Sequence, residues 1–191
     1  MILNETFLRG FAKAQINTAI RESYNSLKHF DEKKRYDIFI SHSSLDEQLT
    51  IALYNIFEQC GFHVYIDYED NELNPQMVSS STGKQLRTRM QNSKCLAYIA
   101  TSNTPTSKWC PWELGYYDGI SNGKCCILPV SLGEKKGFKG QEYLGMYPYL
   151  EYEKYSGKDE YTFWIIDPND GKKYNTLENW IKGHEIYLHE K

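Results

Sequence analysis

Tyr36-Asp37-Ile38-Phe39-Ile40-Ser41-His42-Ser43-Ser44-Leu45-Asp46-Glu47 places an apolar run directly before a turn and a helix start. The run has no polar alternation beyond Asp37, so it reads as a strand buried on both faces. The spacing of Leu45, Leu49, Ala52, Leu53, Ile56, Phe57 and Cys60 predicts a helix. Ser44 and Glu47 have the spacing of a capping box, and Gly61 stands where a helix stop is expected. A two-sided strand followed at once by an amphipathic helix is the unit of a parallel sheet.

Similar apolar runs recur at residues 62–67, 95–100 and 124–130. A second cap signal, Thr82 with Gln85, predicts a helix to about Asn92, and a third helix is expected from about Trp109 to Ser121. The rhythm predicts an α/β fold, a parallel sheet with helices on both faces. Before it, Leu3, Phe7, Phe11, Ala14, Ala19, Ile20 and Leu27 have helical spacing and end in the charged run at residues 31–35. After Ser131 the rhythm is lost in a Gly/Lys-rich loop and a segment holding Tyr143, Tyr147, Tyr149, Tyr152, Tyr155 and Tyr161. Residues 161–166 and 172–175 around Asp167-Pro168-Asn169-Asp170-Gly171 read as a hairpin, followed by a short helix capped by Thr176 and stopped near Gly183. The expected organisation is a helical arm over 1–34, a core over 35–132, and an extension over 133–191 packed on that core.

Composition narrows the function. The 191 residues hold 22 Lys and Arg against 25 Asp and Glu, a net charge of −3 that makes no electrostatic case for nucleic acid. No apolar stretch is long enough for a bilayer and no secretory signal is evident, so a cytoplasmic protein with no membrane partner is expected. The five cysteines lack C-x-x-C spacing and are read as reduced and mostly buried. No phosphate-loop, dinucleotide, nucleophile-elbow or zinc motif occurs. Asp67, Glu69, Asp70 and Glu72 crowd one loop, but without an EF-hand's glycine and final glutamate they read as a solvated acidic loop, and no metal is expected.

In a sheet of this kind ligands bind beyond the carboxyl ends of the strands. There, Tyr36 through Ser43 resembles the opening strand and loop of a Toll/interleukin-1 receptor (TIR) domain. Ser107-Lys108-Trp109-Cys110-Pro111-Trp112-Glu113-Leu114 resembles the S-x-W-x-x-x-E segment of its enzymatic members. Residues 62–67 and the polar loop after them are similar to the family's second strand and BB loop. The resemblance covers roughly residues 35–132. It implies a flavodoxin-like fold and cleavage of the nicotinamide–ribose bond of NAD, as an NAD glycohydrolase or ADP-ribose cyclase, with NAD as substrate and no resident cofactor.

On this reading Glu113 is the catalytic residue, and Ser41, His42, Ser43, Asp67, Ser107 and Trp109 contact the nucleotide. The resemblance also extends to the standalone TIR proteins of Thoeris antiphage defence. It implies self-association through TIR–TIR contacts and a downstream effector that senses an ADP-ribose-derived messenger.

The chemistry suits one carboxylate. Nicotinamide leaves NAD as a neutral molecule and leaves positive charge on the ribose, so no general acid is needed, unlike glycosidases that must protonate an alkoxide. A placed negative charge stabilises such a transition state. Competing readings are a non-catalytic TIR interaction module, in which Glu113 is an exposed first-turn helix residue favoured by the dipole, and a nucleoside deoxyribosyltransferase-like enzyme. Trp109 is equally readable as a core anchor, Trp112 reads better as one, and Ser43 and Ser44 are readable as helix caps.

Overall fold

A computed structural model describes residues 1–15, 34–66, 80–132, 142–155 and 158–189. In chain order the elements are β1 (Leu3–Asn4), α1 (Glu5–Gln15), β2 (Tyr36–Ser41), α2 (Glu47–Gln59), β3 (Val64–Ile66), α3 (Ser80–Gln91), β4 (Ser93–Ala100), α4 (Cys110–Ser121) and β5 (Cys125–Ser131). They continue with β6 (Tyr149–Lys154), β7 (Tyr161–Ile166), β8 (Lys173–Thr176), α5 (Leu177–Ile181) and β9 (Tyr187–Leu188). The expected loop residues Asp67, Glu69, Asp70 and Glu72, and the arm residues Ala19, Ile20 and Leu27, lie outside the described residues.

One nine-stranded sheet runs in the order β3-β2-β4-β5-β6-β7-β8-β9, with β1 paired to β5. Strands β1 to β6 pair in parallel, and β6 to β9 in antiparallel. The order of the five strands from β3 to β6 is that of a flavodoxin-like sheet. Its fifth strand, β6, comes from the Tyr-rich segment beyond residue 132. That segment therefore extends the sheet itself.

Burial follows from strand alternation. Ile38 and Ile40 of β2 turn to a core shared with Leu8 of α1, Leu53, Ile56 and Phe57 of α2, Phe163 of β7 and Trp180 of α5. Phe39 turns to the other face, with Leu86 and Met90 of α3, Tyr98 of β4, and Leu114 and Tyr117 of α4. Each fully buried Leu, Ile or Phe contributes about 1.5–3 kcal/mol by leaving water. In the arm, Leu8 is buried while Phe7 stays exposed.

The helix starts differ in detail from the sequence reading. The Ser44–Glu47 capping box does not open α2. Ser43 is the cap, its Oγ accepting from the Leu45 N–H at 3.4 Å, and a 3-10 turn over Ser44–Asp46 precedes the helix. Gly61 does end it, at φ +86°, where a side chain would be strained. Helix α3 begins at Ser80, so Thr82 is a buried residue of its first turn. In the hairpin, Asp167 Oδ1 accepts from the Asn169 and Asp170 N–H groups at 2.8 and 3.0 Å. Thr176 caps α5 by accepting from the Asn179 N–H.

Cys95, Cys110, Cys125 and Cys126 are buried and Cys60 is half-buried; the five form no disulfide. No described helix is long and apolar enough to cross a membrane.

Burial also governs the tyrosines. It pushes the phenols of Tyr147 and Tyr152 up to about 12, helped in Tyr147 by Asp118. Tyr54, Tyr98 and Tyr117 are held higher still, again chiefly by burial. These folded values lie above the unfolded value of about 10. The stability they contribute is therefore complete below about pH 10 and is lost as pH climbs through the folded values. We expect the phenolate absorbance of these five tyrosines to appear only with unfolding, at about pH 11–12. Titration of all sixteen tyrosines near their ordinary value with the fold intact would contradict this packing.

Candidate active site

The sheet order reverses between β2 and β4, because the chain leaves β2 for β3 on one side and returns through β4 on the other. The loops after these two strands must part there and leave a crevice, the usual ligand site of open α/β sheets. Ser41 and Tyr98 are paired neighbours across β2 and β4 at this edge, so their side chains share a face.

Glu113 of α4 meets that face. It is 2% exposed, and its Oε2 accepts from Ser41 Oγ at 2.6 Å. The bond joins residues 72 positions apart and brings the two sequence motifs into contact. Glu113 is thus not an exposed helix residue. A charge-assisted bond of this length is among the stronger hydrogen bonds of a protein.

The start of α4 aims this carboxylate. Trp109 is the residue at the helix boundary, Cys110 and Pro111 follow, and the first i to i−4 bond runs from the Glu113 N–H to the Trp109 carbonyl at 2.8 Å. Ser107 does the capping: its Oγ accepts from the Cys110 N–H at 3.2 Å. The helix ends at Asn122 and Gly123, at φ 54° and 79°. Glu113 therefore sits in the first turn, where the helix dipole favours negative charge.

Tyr98 adjoins this pair. Burial raises its phenol above the ordinary range, and a hydrogen bond with Tyr143 and the nearby Cys110 and Glu113 act in the same direction. It stays neutral at physiological pH. Tyr143 belongs to the 3-10 turn Glu142–Met146, and Tyr147 beyond it hydrogen-bonds Asp118 of α4 at 3.1 Å. Part of the tyrosine-rich segment thus lies against the helix that carries Glu113.

The other expected residues are placed as follows. His42 and Ser43 continue from Ser41 at the strand end, both buried, with Ser43 engaged as the cap. Trp109 is half-buried and meets Trp112 edge-on at 5.4 Å. Trp112 stacks on Tyr116, with the Arg87 guanidinium over both rings at 5.4 and 5.6 Å. Asp67 lies outside the described residues. No group of three or more His, Cys, Asp or Glu side chains positioned for a metal occurs among the described residues.

One site residue gives no distinct signal in the sequence. Asp46, 3% exposed, joins the loop after β2 to the loop after β4. Its Oδ2 accepts from Thr101 Oγ1 and its Oδ1 from Asn103 Nδ2, both at 2.6 Å. An Asp just before a helix has a ready explanation as a cap, which hides this use.

A flavodoxin-like sheet with a buried glutamate hydrogen-bonded to a strand-end serine at its switch point defines the class as an α/β protein with a buried acidic residue where such sheets bind their ligands. The chain belongs to the TIR domain family, whose model matches residues 38–162. It is 41% identical over 157 residues to the Bacillus cereus (strain MSX-D12) protein named "Probable 3' cyclic ADP-D-ribose synthase ThsB'", covering 81% of this chain and 80% of that one. It is also 31% identical over 97 residues to the Cytobacillus dafuensis protein named "Putative cyclic ADP-D-ribose synthase TIR2". That match covers 50% of this chain and 26% of the relative.

Proposed function

We propose that this protein cleaves the nicotinamide–ribose bond of NAD and closes the ADP-ribose product into a cyclic messenger, as a Thoeris-type antiphage defence enzyme. The observation that carries the reading is the buried Ser41–Glu113 pair at the sheet's switch point. The names of both relatives, cyclic ADP-D-ribose synthases, support a cyclase over a simple hydrolase.

Glu113 stabilises the positive charge that develops on the ribose as nicotinamide departs, in a site where burial makes a single charge effective. Ser41 holds the carboxylate in place. His42 and Ser43 border the ribose and phosphates, Ser107 sets the start of α4, and Trp109 offers a flat wall to an aromatic ring. Asp67, in the segment similar to the family's BB loop, contacts the nucleotide. The C1′–N bond to nicotinamide breaks, a C1′–O bond forms to a hydroxyl of the same molecule, and that hydroxyl's proton is released. No cofactor is consumed. Ring closure requires that the hydroxyl reach the sugar before water does, which a crevice bordered by the rings of Tyr98 and Tyr143 favours.

The site is completed by assembly, through the BB loop of a neighbouring copy, and the product is read by a separate effector in the cytoplasm. Turnover per protein molecule should therefore rise with protein concentration. Incubating a dilution series with NAD and, in parallel, with deoxynucleosides tests this by chromatography. Nicotinamide release that grows faster than protein concentration is expected. Base exchange among deoxynucleosides with NAD untouched would instead identify a deoxyribosyltransferase, and inertness toward both a pure interaction module.

A further inference from the structure

The crevice has two walls, and one buried carboxylate ties them together. The wall after β2 carries Ser41, His42 and Ser43; the wall after β4 runs through Thr101 and Asn103 to Ser107, which caps the helix of Glu113. Asp46 is built into the first wall, since its N–H donates to the Ser43 carbonyl at 2.9 Å and its own carbonyl accepts from Thr50 Oγ1 at 3.0 Å. From there its two carboxylate oxygens reach across to the second wall.

The second wall presents a donor to each of those oxygens. Thr101 Oγ1 accepts from the N–H groups of Asn103 and Thr104, at 3.0 and 3.3 Å, and its one proton goes to the Asp46 carboxylate at 2.6 Å rather than to Thr104 Oγ1 at 3.0 Å, the carboxylate being the closer and stronger acceptor. Thr104 Oγ1 in turn donates to the Ile99 carbonyl at 2.7 Å and accepts from the Thr101 N–H, which anchors the loop to the end of β4. An amide at position 46 offers one acceptor and one donor. Its oxygen can still accept from Thr101 and its NH2 can bond an oxygen presented at position 103, whereas alanine at position 46 loses both cross-wall bonds.

We propose that Asp46 is the positioning residue of this site: by bonding Thr101 and Asn103 it fixes the distance between the wall that carries Ser41 and the wall that starts the Glu113 helix. The proposal rests on the NAD-cleaving reading for its kinetic consequence. Its structural claim, that the two walls move together when Asp46 is altered, stands apart from that reading.

The test uses Asp46→Ala, Asn103→Ala and the double variant that combines Asp46→Asn with Asn103→Asp, all in the full chain. The double variant swaps the two side chains and restores both cross-wall bonds. The amide now at position 46 donates to the carboxylate at position 103, reversing the native direction, and its carbonyl still accepts from Thr101. Both single variants should lower kcat by up to about 100-fold, the scale of a small misplacement of reacting groups, with KM changed by less than about threefold. The swap should recover most of the loss. In amide NMR spectra both singles should shift the signals of residues 41–43 and 107–113 together, and the swap should return them. Wild-type kcat in the singles, a swap that folds but recovers nothing, or shifts confined to the residues beside position 46 would overturn the proposal. If wild type leaves NAD intact, the functional reading fails while the NMR comparison still decides the positioning claim.

Discussion

Glu113→Gln should lower NAD turnover by about 100-fold to 1,000-fold, the loss of roughly 3 to 4 kcal/mol that follows removal of one preorganised transition-state stabiliser. The substitution keeps the size of the side chain and an oxygen able to accept from Ser41, and removes only the charge. Its effect on stability should be small. The Ser41 bond at 2.6 Å weakens from charge-assisted to neutral, a cost of about 1 kcal/mol. Against that, a group 2% exposed no longer needs its charge kept out of water, a gain of similar order. Melting temperature and turnover measured on one preparation separate the roles. A purely structural Glu113 predicts intact turnover with altered stability, and the catalytic role predicts the reverse.

Phe163→Ala should destabilise the protein by about 3–5 kcal/mol, the range for truncating a fully buried aromatic. Phe163 is fully buried, and its ring stacks on Phe57 of α2 at 4.0 Å. It comes from β7, a strand of the segment after residue 132, yet it packs against a helix of the first half of the chain. Loss of this ring leaves a cavity bounded by a sheet strand and a helix, neither able to collapse inward. Denaturant unfolding should show a lower midpoint with an unchanged slope, in a single transition. A loss below about 1 kcal/mol, or a second transition, would mean that the segment is only docked on the sheet. The same packing argues that removing residues 150–191 would cost the fold as well as the activity.

How legible each element is depends on how it is buried. Strand β2 can be read to the residue because five of its six positions are buried and the run lacks polar alternation. Helix α2 is clear from Leu49, Ala52, Leu53, Ile56 and Phe57, all buried, although Leu45 of the expected stripe falls in the turn before it and is exposed, since Ser43, Ser44 and Asp46 all carry capping chemistry. Strand β6 is hidden because only Tyr149 and Leu150 are buried, and Glu151, Glu153 and Lys154 give the rest the look of a loop. It pairs with β5 at one register position and takes most of its bonds from β7. Strands β1 and β9 have two residues each, too few for any periodicity.

The site is legible as two motifs and not as one geometry. Ser41 and Glu113 stand out through resemblance, but nothing in the spacing of residues 72 apart says that they touch. The partners that frame them, Tyr98, Asp46, Thr101 and Asn103, are ordinary residues at strand and helix ends, and only the crossing at the switch point gives them a shared purpose.

Breakage of NAD at the nicotinamide–ribose bond, with the ADP-ribose closed upon itself in the Ser41–Glu113 crevice, is tested most directly by mass analysis of the products after concentrated protein is mixed with NAD. Nicotinamide is expected together with a product one water lighter than ADP-ribose. NAD recovered whole at every protein concentration, with the protein folded, would contradict it.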